Sequence, residues 1–445
     1  MKRFLSLLLV CLMLLSILVG CSGDGAEDPI AADPVPEDFC GLVLKAPADA
    51  TVFLYTEFEE GEVVPVGTSY EANGFRYDCY TGIVGNYRCK VSGYNYYTVT
   101  KNIVMTQEKC ETKTVMDVTP GLRYGEGWEP AGLTLYTDEL LADGFCSDLS
   151  QWPEYADVLT SPYFTQEHNA HQITTQAEME AYLQNLDDTD DEMYLYSAGT
   201  STLYRHDIPL AIFTQADLSG AKTLEEAAEL MGQEKPTVLY RCQMHGNEPA
   251  GGEAALAMIK WLDGELGEAL LDTINICVIP RQNPDGAQDY KRTMFGDIDP
   301  NRDSLRLKTQ EIVSYMQLCQ LLEPELIIDG HEYNAHETKK TLSGGDILVG
   351  LGYTNDNSDT FRQLNYEFAE GIFAAVGEQG LSYRYYSNHV NSINPSLSRA
   401  YASMQGTLFV LLESRGIGCG LAMYERRIVS HVVSAEVLLD RKSVV

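Results

Sequence analysis

The sequence predicts an α/β fold: a mixed, largely parallel sheet flanked by helices, preceded by a small all-β sandwich domain. At 445 residues the chain is longer than one typical domain, and 44% of its residues are apolar, so two packed cores can form. Short β-type runs separated by Gly, Asn and Asp fill residues 39–118 and show no helical periodicity. After residue 130, apolar strand-like runs alternate with helical patterns, which is typical of a largely parallel sheet.

Local residue patterns predict the individual strands and helices. In the first unit, β-branched and aromatic residues between turn residues predict strands at 42–44, 51–55, 75–80, 87–91, 97–100 and 112–118. In the second unit, apolar runs predict strands at 237–243, 273–280, 325–329 and 406–412. Helical periodicity predicts helices at 174–185, 251–262, 309–322, 360–376 and 423–439, the first of them capped by Thr175.

The chain divides into five predicted segments: a signal peptide at 1–20, a lipidated tether at 21–38, the β sandwich at 39–119, a Gly/Pro-rich linker at 120–130 and the α/β domain at 131–445. Lys2 and Arg3 precede an apolar run that is short for a membrane span and ends before Cys21, as in a secretory signal. The stretch from Leu18 to Cys21 resembles a bacterial lipobox, in which the cysteine becomes the lipid-modified first residue. We therefore expect an exported, extracytoplasmic protein anchored to a bacterial membrane through Cys21, with an ordinary signal peptide or an uncleaved anchor as the alternatives.

The net charge and the cysteine content exclude some classes of binding partner and some kinds of metal site. The net charge of −34 argues against a nucleic-acid partner, because nucleic-acid binding requires a basic surface. Export would permit disulfides. Cys79 and Cys89 flank a predicted turn and could pair across a hairpin, while Cys40 and Cys110 bracket the same segment. No cysteine pair has CxxC spacing, which argues against a thiolate zinc site.

Four predicted strands of the second unit lead directly to polar residues: His245, Asn283, His331 and Glu413. In open α/β sheets, ligands bind in the crevice at the carboxyl ends of the strands, so we expect these residues to meet there. Glu413 ends a strongly apolar run, where a carboxylate is costly to bury unless it is used or paired. An ion pair with Arg415 is the structural alternative.

His245, Glu248 and His331 have the chemistry of a catalytic zinc site, which uses three nitrogen or oxygen ligands and keeps a fourth position open for water. His245 and Glu248 are separated by a short loop and can reach one ion together, while His331 follows another strand. Asp329, two residues before His331, is a candidate to accept a hydrogen bond from the metal-bound imidazole.

In this order, the motifs resemble those of zinc metallocarboxypeptidases of the carboxypeptidase A type. The resemblance rests on His245-Gly246-Asn247-Glu248, Asn283-Pro284-Asp285-Gly286, Arg292, Asp299-Pro300-Asn301-Arg302, Asp329-Gly330-His331 and Glu413. It implies one Zn2+ per chain, held by His245, Glu248 and His331, and a peptide substrate. It also implies that Glu413 is the general base, which takes a proton from the metal-bound water and hands it to the leaving amine.

The same resemblance implies roles for the neighbouring residues. Arg292 would lie where the oxyanion develops, and Asp299 would accept a hydrogen bond from His245. Asn301 and Arg302 would hold the terminal carboxylate of the substrate, which a planar guanidinium can bind through two parallel hydrogen bonds.

Two further features of this family fall in the stretch before Glu413. The flexible active-site tyrosine is assigned to Tyr401, with Tyr385 and Tyr386 as the other candidates. Arg399 lies near where the pocket-floor residue of the family falls, which would favour a substrate with an acidic terminal side chain. A plain surface arginine is the alternative.

The first unit resembles carboxypeptidase-regulatory-like and PEGA-type β domains through the Gly- and Tyr-rich residues 85–94. The favoured function of the whole chain is removal of a C-terminal amino acid from peptides, with peptidoglycan stem peptides as one candidate substrate. His-Gly-Asn-Glu and Asp-x-Asn-Arg sequences also occur in N-acyl amino acid deacylases related to succinylglutamate desuccinylase and aspartoacylase. A third hypothesis is a catalytically inactive, lipid-anchored binding protein.

Overall fold

The computed structural model describes residues 34–56, 63–93, 96–120, 149–165, 173–189, 193–334, 345–352, 357–386, 394–417, 421 and 423–440. The predicted signal peptide, Cys21 and nearly all of the predicted linker lie outside these ranges. The described residues fall into two compact units. One comprises residues up to 91 together with 100–119, and the other comprises 92–99 together with the residues from 120 onwards.

The first unit consists of β-strands and one short helix. Its strands are β1 (Gly41–Pro47), β2 (Thr51–Thr56), β3 (Thr68–Ala72), β4 (Phe75–Tyr80), β5 (Gly85–Gly93), β6 (Tyr96–Met105) and β7 (Lys113–Asp117), and helix α1 spans Gln107–Cys110. They form one sheet in the order β3-β4-β1-β7 and another in the order β2-β5-β6. The predicted all-β fold is confirmed. Strand β3 was not predicted because it is a largely exposed, polar edge strand that needs β4 as its partner.

The suggested pairing of Cys79 with Cys89 is wrong. Cys79 lies on β4 and Cys89 on β5, in different sheets, and no disulfide joins the two buried side chains. Burial raises the pKa of the Cys89 thiol to about 12, so this side chain stays protonated and packs as a small apolar group. Cys40 and Cys110 are free thiols as well.

The second unit is built on an eight-stranded sheet with the order β14-β13-β15-β12-β10-β11-β9-β8. Its strands are β8 (Met193–Thr200), β9 (Asp207–Phe213), β10 (Thr237–Cys242), β11 (Asn275–Ile279), β12 (Leu326–Asn334), β13 (Ile347–Leu351), β14 (Tyr383–Tyr385) and β15 (Leu408–Ile417). The four central strands β15, β12, β10 and β11 are parallel, whereas β9, β8 and β13 join by antiparallel pairing. The predicted mixed, largely parallel sheet is confirmed. Strands β8, β9, β13 and β14 were not predicted. The outermost two, β8 and β14, are partly exposed edges without a clear apolar run, whereas β9 and β13 are buried strands that the sequence reasoning missed.

Helices cover both faces of this sheet. They are α2 (Pro162–Thr165), α3 (Gln176–Asp187), α4 (Leu224–Met231), α5 (Ala250–Leu262), α6 (Glu265–Leu270), α7 (Pro284–Asp289), α8 (Gln310–Leu322), α9 (Asp359–Glu378), α10 (Ser398–Met404) and α11 (Tyr424–Asp440). One apolar core contains residues of α5, α9 and α11, and a second contains residues of α4 and α8. Thr175 caps α3 as predicted, in a reciprocal capping box with Glu178. Within the described ranges, no helix has the length and apolar composition needed to cross a membrane.

Two strands run further than the sequence predicted. Strand β12 continues to Asn334 and β15 to Ile417, so His331 and Glu413 lie inside paired strands rather than beyond their ends. The two strands pair in parallel, with His331 opposite Glu413. Ladder hydrogen bonds hold these polar extensions in the strand conformation, which an apolar pattern alone does not reveal.

Candidate metal centre and catalytic cleft

The loop of residues 245–248 follows β10 and is held by a close approach of two backbones. Glu248 N donates to His245 O over 3.1 Å, which closes the turn. A Cβ on Gly246 would lie 1.9 Å from the carbonyl carbon of Gly286, so only glycine fits there. Gly286 N in turn donates to the Asn283 side chain at 2.8 Å, at the start of α7. Two motifs that are separate in the sequence therefore pack directly against each other.

His331 and Glu413 are presented by neighbouring parallel strands, β12 and β15. Because they are opposite each other in the register, their side chains lie on the same face of the sheet. Gly330 permits close packing behind His331: a Cβ there would lie 2.6 Å from the Cys242 Sγ atom. The imidazole of His331 and the carboxylate of Glu413 thus lie side by side on one face of the sheet.

Three side chains that are distant in the sequence converge on one point. Glu248 Oε1 lies 2.8 Å from His245 Nδ1, and Glu248 Oε2 lies 2.8 Å from His331 Nδ1. The two Nδ1 atoms are 3.0 Å apart. All three side chains are buried, and their ligand atoms lie within 4.8 Å of one another, so they could hold a metal ion.

The hydrogen-bond partners of the two Nε2 atoms indicate whether a cation fits between the two Nδ1 atoms. His245 Nε2 lies 3.2 Å from Asp299 Oδ1, and His331 Nε2 lies 3.0 Å from Asp329 Oδ2. Since a carboxylate accepts, the Nε2 atoms carry the ring protons of the neutral imidazoles. Both Nδ1 lone pairs then face each other and the Glu248 carboxylate, which is repulsive unless a cation lies between them. These nitrogen and oxygen donors fit a zinc ion.

The electrostatics of the cluster also favour a positive charge. Burial alone would lower the pKa of His331, but Asp329 and Glu248 outweigh that effect and raise it to about 10. Burial would raise the pKa of the Glu248 carboxyl, yet His245 and His331 hold it well below its ordinary value. The cluster therefore attracts a proton in the absence of metal, and a metal ion competes with that proton for the same place.

Asp299 links His245 to Arg292. Besides contacting His245, its carboxylate accepts a hydrogen bond from Arg292 Nε at 3.2 Å. Arg292 Nη1 also donates to Glu248 Oε1 at 3.1 Å, so the guanidinium lies at the edge of the metal cluster. Asp299 in addition caps the 3-10 turn Pro300–Arg302. It is a turn residue and a partner of the imidazole at once.

A small cavity beside the cluster brings together the predicted substrate-binding residues. Arg292, Arg302 and Arg399 line it, together with Asn301 and Glu413. The three guanidinium groups outnumber the two carboxylates that also line the cavity, Asp329 and Glu413, so its lining is cationic although the chain as a whole carries a net charge of −34. The cavity therefore suits an anionic ligand.

The start of α10 positions two of these cavity residues. Ser398 N donates to Asn301 Oδ1 at 3.0 Å, which leaves the amide nitrogen of Asn301 to donate to a ligand. Arg399, in the first turn of α10, is only 6% exposed and has no ion-pair partner among the described residues. Burial lowers the pKa of Arg399 to about 10, against the opposing effects of Tyr386 and Glu413. Arg399 is thus not the surface arginine of the alternative hypothesis.

The structure does not bring Tyr401 to this cavity. Tyr401 packs against the apolar core beneath α10 and lines a separate cavity. Tyr386, directly after β14, lines the metal-site cavity instead and is held there by a 2.9 Å hydrogen bond from its backbone N to Val349 O. Burial, with a smaller effect of Glu413, raises the pKa of the Tyr386 hydroxyl to about 12, so this group can donate at neutral pH. Of these two tyrosines, Tyr386 therefore lies at the metal-site cavity and Tyr401 does not.

Glu413 is buried beside the cluster and is not paired with Arg415. Arg415 Nε donates to the Tyr333 hydroxyl at 2.8 Å, and no ion pair joins it to Glu413 in the described part of the chain. Burial, reinforced by the Glu248 charge, raises the pKa of the Glu413 carboxyl to about 7, although His331 lowers it. Glu413 is thus a buried carboxylate at the cavity wall that has no ion-pair partner among the described residues.

Sequence reasoning missed Arg241 and Gln243. Arg241 is fully buried on β10 and pairs with Asp329. Gln243 has a φ of 48°, and its side chain donates to Gly246 O at 3.1 Å. A non-glycine residue in this left-handed region is uncommon, and here it immediately precedes the metal-binding loop. A charged residue inside an otherwise apolar strand is the sequence signal that could have pointed to Arg241.

Comparison with known proteins shows which family shares this site. A family model described as zinc carboxypeptidase matches residues 179–317. Over this range the α/β unit is similar to zinc carboxypeptidases. Zinc is the metal of that family, and the cluster of His245, Glu248 and His331 fits it. The matched range ends before His331 and Glu413, so the tertiary structure is what brings these two residues to the carboxypeptidase site.

The matches to individual relatives cover only part of the length of each relative. "Probable carboxypeptidase 2" of Arthroderma benhamiae is 29% identical over 215 residues, which is 44% of this chain and 41% of that protein. "Carboxypeptidase 2" of Trichophyton rubrum is 26% identical over 280 residues, 59% of this chain and 51% of that protein. The chain thus spans about half the length, or less, of these curated relatives. A solved metallo-carboxypeptidase from Pseudomonas aeruginosa has a TM-score of 0.45 and 17% identity, covering 60% of this chain and 69% of that one.

Proposed function

We propose that this protein is a zinc-dependent metallocarboxypeptidase that removes a C-terminal amino acid from peptides. The observation that carries the proposal is the convergence of His245, Glu248 and His331 beside the buried carboxylate of Glu413. A cationic cavity adjoins this cluster, as an enzyme that recognises a free terminal carboxylate requires. The match of residues 179–317 to the zinc carboxypeptidase family model supports the same reaction class.

The catalytic roles follow from where each group lies. His245, Glu248 and His331 would hold a zinc ion, which would supply a Lewis acid to polarise the scissile carbonyl and acidify a water molecule. Glu413 takes a proton from that water as general base and gives it to the leaving amine. The register that sets Glu413 opposite His331 supports this role, because it puts the carboxylate on the face of the metal ligands. Arg292, at the edge of the cluster, offers its positive charge to the developing oxyanion.

Asn301 and Arg302 bind the terminal carboxylate of the substrate. Arg302 Nη1 donates to Asn301 O at 2.6 Å, which orients the guanidinium beside the Asn301 amide. The amide nitrogen and the remaining guanidinium N–H groups then form a paired donor set for a carboxylate. Tyr386, on the same cavity wall, supplies a further hydroxyl donor.

Arg399 selects a substrate with a second carboxylate. Its guanidinium is buried, lines the same cavity as Arg302, and lacks an ion-pair partner among the described residues. An unpaired buried charge is costly, so a substrate carboxylate that pairs with Arg399 is favoured over an apolar group. Peptides that end in Asp or Glu are therefore the expected best substrates.

The enzyme acts outside the cytoplasm, anchored to a bacterial membrane by a lipid on Cys21. Supporting observations are the basic residues Lys2 and Arg3, the apolar run that follows them, and the sequence from Leu18 to Cys21. Peptidoglycan stem peptides are a candidate natural substrate at that location.

The general-base role is tested by Glu413→Gln, which keeps the shape of the side chain but removes the proton acceptor. We expect one zinc per chain in this variant and a kcat on C-terminal peptides that is about 100- to 10,000-fold lower. Glu229→Gln makes the same change at an exposed position of α4 and should alter neither quantity. Undiminished turnover by Glu413→Gln, or a wild-type chain that binds no zinc, would contradict the proposal.

A second candidate function is the hydrolysis of N-acyl amino acids. The observation that favours it is the presence of Arg302 and Arg399 in one small cavity, which would also suit a compact dicarboxylate. A substrate panel of C-terminal peptides and N-acyl aspartate or glutamate separates the two reactions, and we expect the peptides to be preferred. Stoichiometric zinc without turnover of either class would indicate a binding protein instead.

A further inference from the structure

We propose that Arg241 is a positioning residue for the metal centre, which acts through Asp329 on the imidazole of His331. The proposal rests on the metal-binding role assigned to His331 in the proposed function. It concerns how firmly the metal is retained, and not how the substrate is recognised.

A continuous chain of contacts joins the three side chains. Arg241 on β10 and Asp329 on β12 are opposite each other in the parallel register. Arg241 Nε donates to Asp329 Oδ1 at 2.9 Å, and Arg241 Nη2 lies 2.5 Å from Asp329 Oδ2. Asp329 Oδ2 also accepts from His331 Nε2 at 3.0 Å. The two-point contact with a planar guanidinium fixes the plane of the carboxylate, and the carboxylate fixes the ring of His331.

All three side chains are buried, so the loss of one contact cannot be compensated by solvent. Arg241 is 0% exposed, Asp329 is 1% exposed and His331 is 2% exposed. The Arg241 guanidinium also stacks on the Tyr315 ring, 4.2 Å from its centroid, which restricts its movement further. Loss of Arg241 would leave Asp329 as a buried carboxylate without its guanidinium, so the plane of the carboxylate behind His331 would no longer be fixed by two contacts.

The two metal-site imidazoles are held in different ways. Asp299, behind His245, is 25% exposed in its side chain, and its partner Arg292 is 39% exposed and lines the substrate cavity. Arg241, behind His331, is inaccessible and is not part of that cavity wall. Arg292 can therefore serve the substrate, whereas Arg241 can reach only the metal side of the site.

A fixed acceptor behind a ligand imidazole orients its ring and makes the ligand nitrogen more basic. Arg241 supplies the fixation for His331, so its removal should weaken retention of the metal. Because Arg241 does not line the substrate cavity, KM for a peptide should change little. A general loss of packing would not produce this combination in a folded protein.

The test is Arg241→Met in the full chain, which keeps the length of the side chain and removes the guanidinium. We expect zinc release to an excess of chelator to be about 10- to 100-fold faster than in the wild type, with KM of the metal-loaded enzyme nearly unchanged. The visible spectrum of the cobalt-substituted variant should shift, since the geometry at His331 changes. Arg426→Met is the matched control, because Arg426 pairs with Asp346 through two contacts of 2.7 and 2.9 Å away from the metal ligands. It should release zinc at the wild-type rate.

A second variant keeps the proposal testable if Arg241→Met folds poorly. Arg241→Met combined with Asp329→Asn removes both buried charges and retains an amide oxygen that can accept from His331 Nε2. We expect this double variant to fold but still to release zinc at least about 10-fold faster than the wild type, because a neutral, unfixed acceptor supports the imidazole less. A wild-type release rate and cobalt spectrum in either folded variant would overturn the role of Arg241. A wild-type chain that binds no zinc would instead overturn the proposed function itself.

Discussion

Gly246 is as necessary to the metal site as the ligands on either side of it. The ligands His245 and Glu248 can face one ion only because the backbone between them passes against Gly286 with no side chain in between. The motif therefore combines two physical requirements: donor atoms for the metal, and a residue without a Cβ at the contact between two loops. The second requirement is visible only in the folded protein.

Gly246→Ala should consequently disrupt the site although it touches no ligand atom. The added Cβ would meet the Gly286 carbonyl carbon at 1.9 Å, so one loop must move. We expect a lower Tm and zinc affinity that is at least about 10-fold weaker, measured by thermal denaturation and by competition with a chelator. Gly220→Ala, where a Cβ would meet nothing within 4 Å, is the control and should leave both unchanged. Wild-type zinc affinity in Gly246→Ala would refute this account of the loop.

Arg399 offers a prediction about specificity. Arg399→Gln removes the charge but keeps a polar side chain on α10, so the preference for an acidic terminal residue should decline. We expect the ratio of kcat/KM for peptides ending in Glu to that for peptides ending in Leu to fall about 10- to 100-fold. Arg306→Gln, at an arginine whose side chain is 55% exposed, should leave the ratio unaltered. An unchanged ratio in Arg399→Gln would show that the cavity does not use this charge.

At the scale of elements, helix α5 begins two residues after the metal-binding loop and is fixed by a buried carboxylate. Glu253 Oε2 accepts a hydrogen bond from Ser161 Oγ at 2.7 Å, and Oε1 accepts from Thr174 N at 3.2 Å. Burial raises the pKa of Glu253, although these hydrogen bonds and Arg281 oppose the shift. The helix is thus held by a group whose charge is disfavoured in the folded state.

The raised pKa of Glu253 predicts a pH dependence with a definite sign. The folded protein holds the Glu253 proton more tightly than the unfolded chain, so the stabilising contribution is complete below about pH 4.3, the unfolded pKa. It is lost as the pH rises through the raised pKa of the folded state. Glu253→Gln does not titrate, so its Tm relative to the wild type should increase between about pH 4 and pH 8.

Glu229→Gln provides the control for that measurement, because its exposed side chain should give a Tm difference that does not vary with pH. A relative Tm of Glu253→Gln that stays constant or declines as the pH rises would mean that the carboxyl is not held in its neutral form.

At the scale of the whole molecule, the proposed lipid on Cys21 would anchor the protein to a membrane. The wild-type chain expressed in bacteria should incorporate a labelled fatty acid and sediment with membranes, because acyl chains on one terminus give durable anchoring. Cys21→Ala should lose the label and leave the membrane fraction, with kcat per zinc-loaded chain unchanged. Wild-type protein that carries no label would contradict the anchor.

Much of the molecule could be predicted from residue patterns. Apolar periodicity identified the long helices and the central strands, since a buried face imposes a period of about 3.6 or 2 residues regardless of the partner. It missed β8 and β14, because edge strands are stabilised by pairing with a neighbour rather than by their own apolar content. It also missed β9 and β13, although both are buried and apolar. The two cysteines Cys79 and Cys89 were misjudged for a similar reason: their spacing suggested one hairpin, and strand pairing placed them in two sheets.

The chain itself predicted the kind of chemistry, because His245, Glu248, His331 and Glu413 are residue types that metal-assisted hydrolysis uses as metal donors and as a base. Tertiary structure alone decided which groups surround them. Parallel pairing of β10 with β12 set Arg241 against Asp329 behind a metal ligand, and the edge strand β14 placed Tyr386 rather than Tyr401 at the cavity. The physical reason is that donor atoms are a local property of residues, whereas distance and burial arise only when segments far apart in the chain pack together.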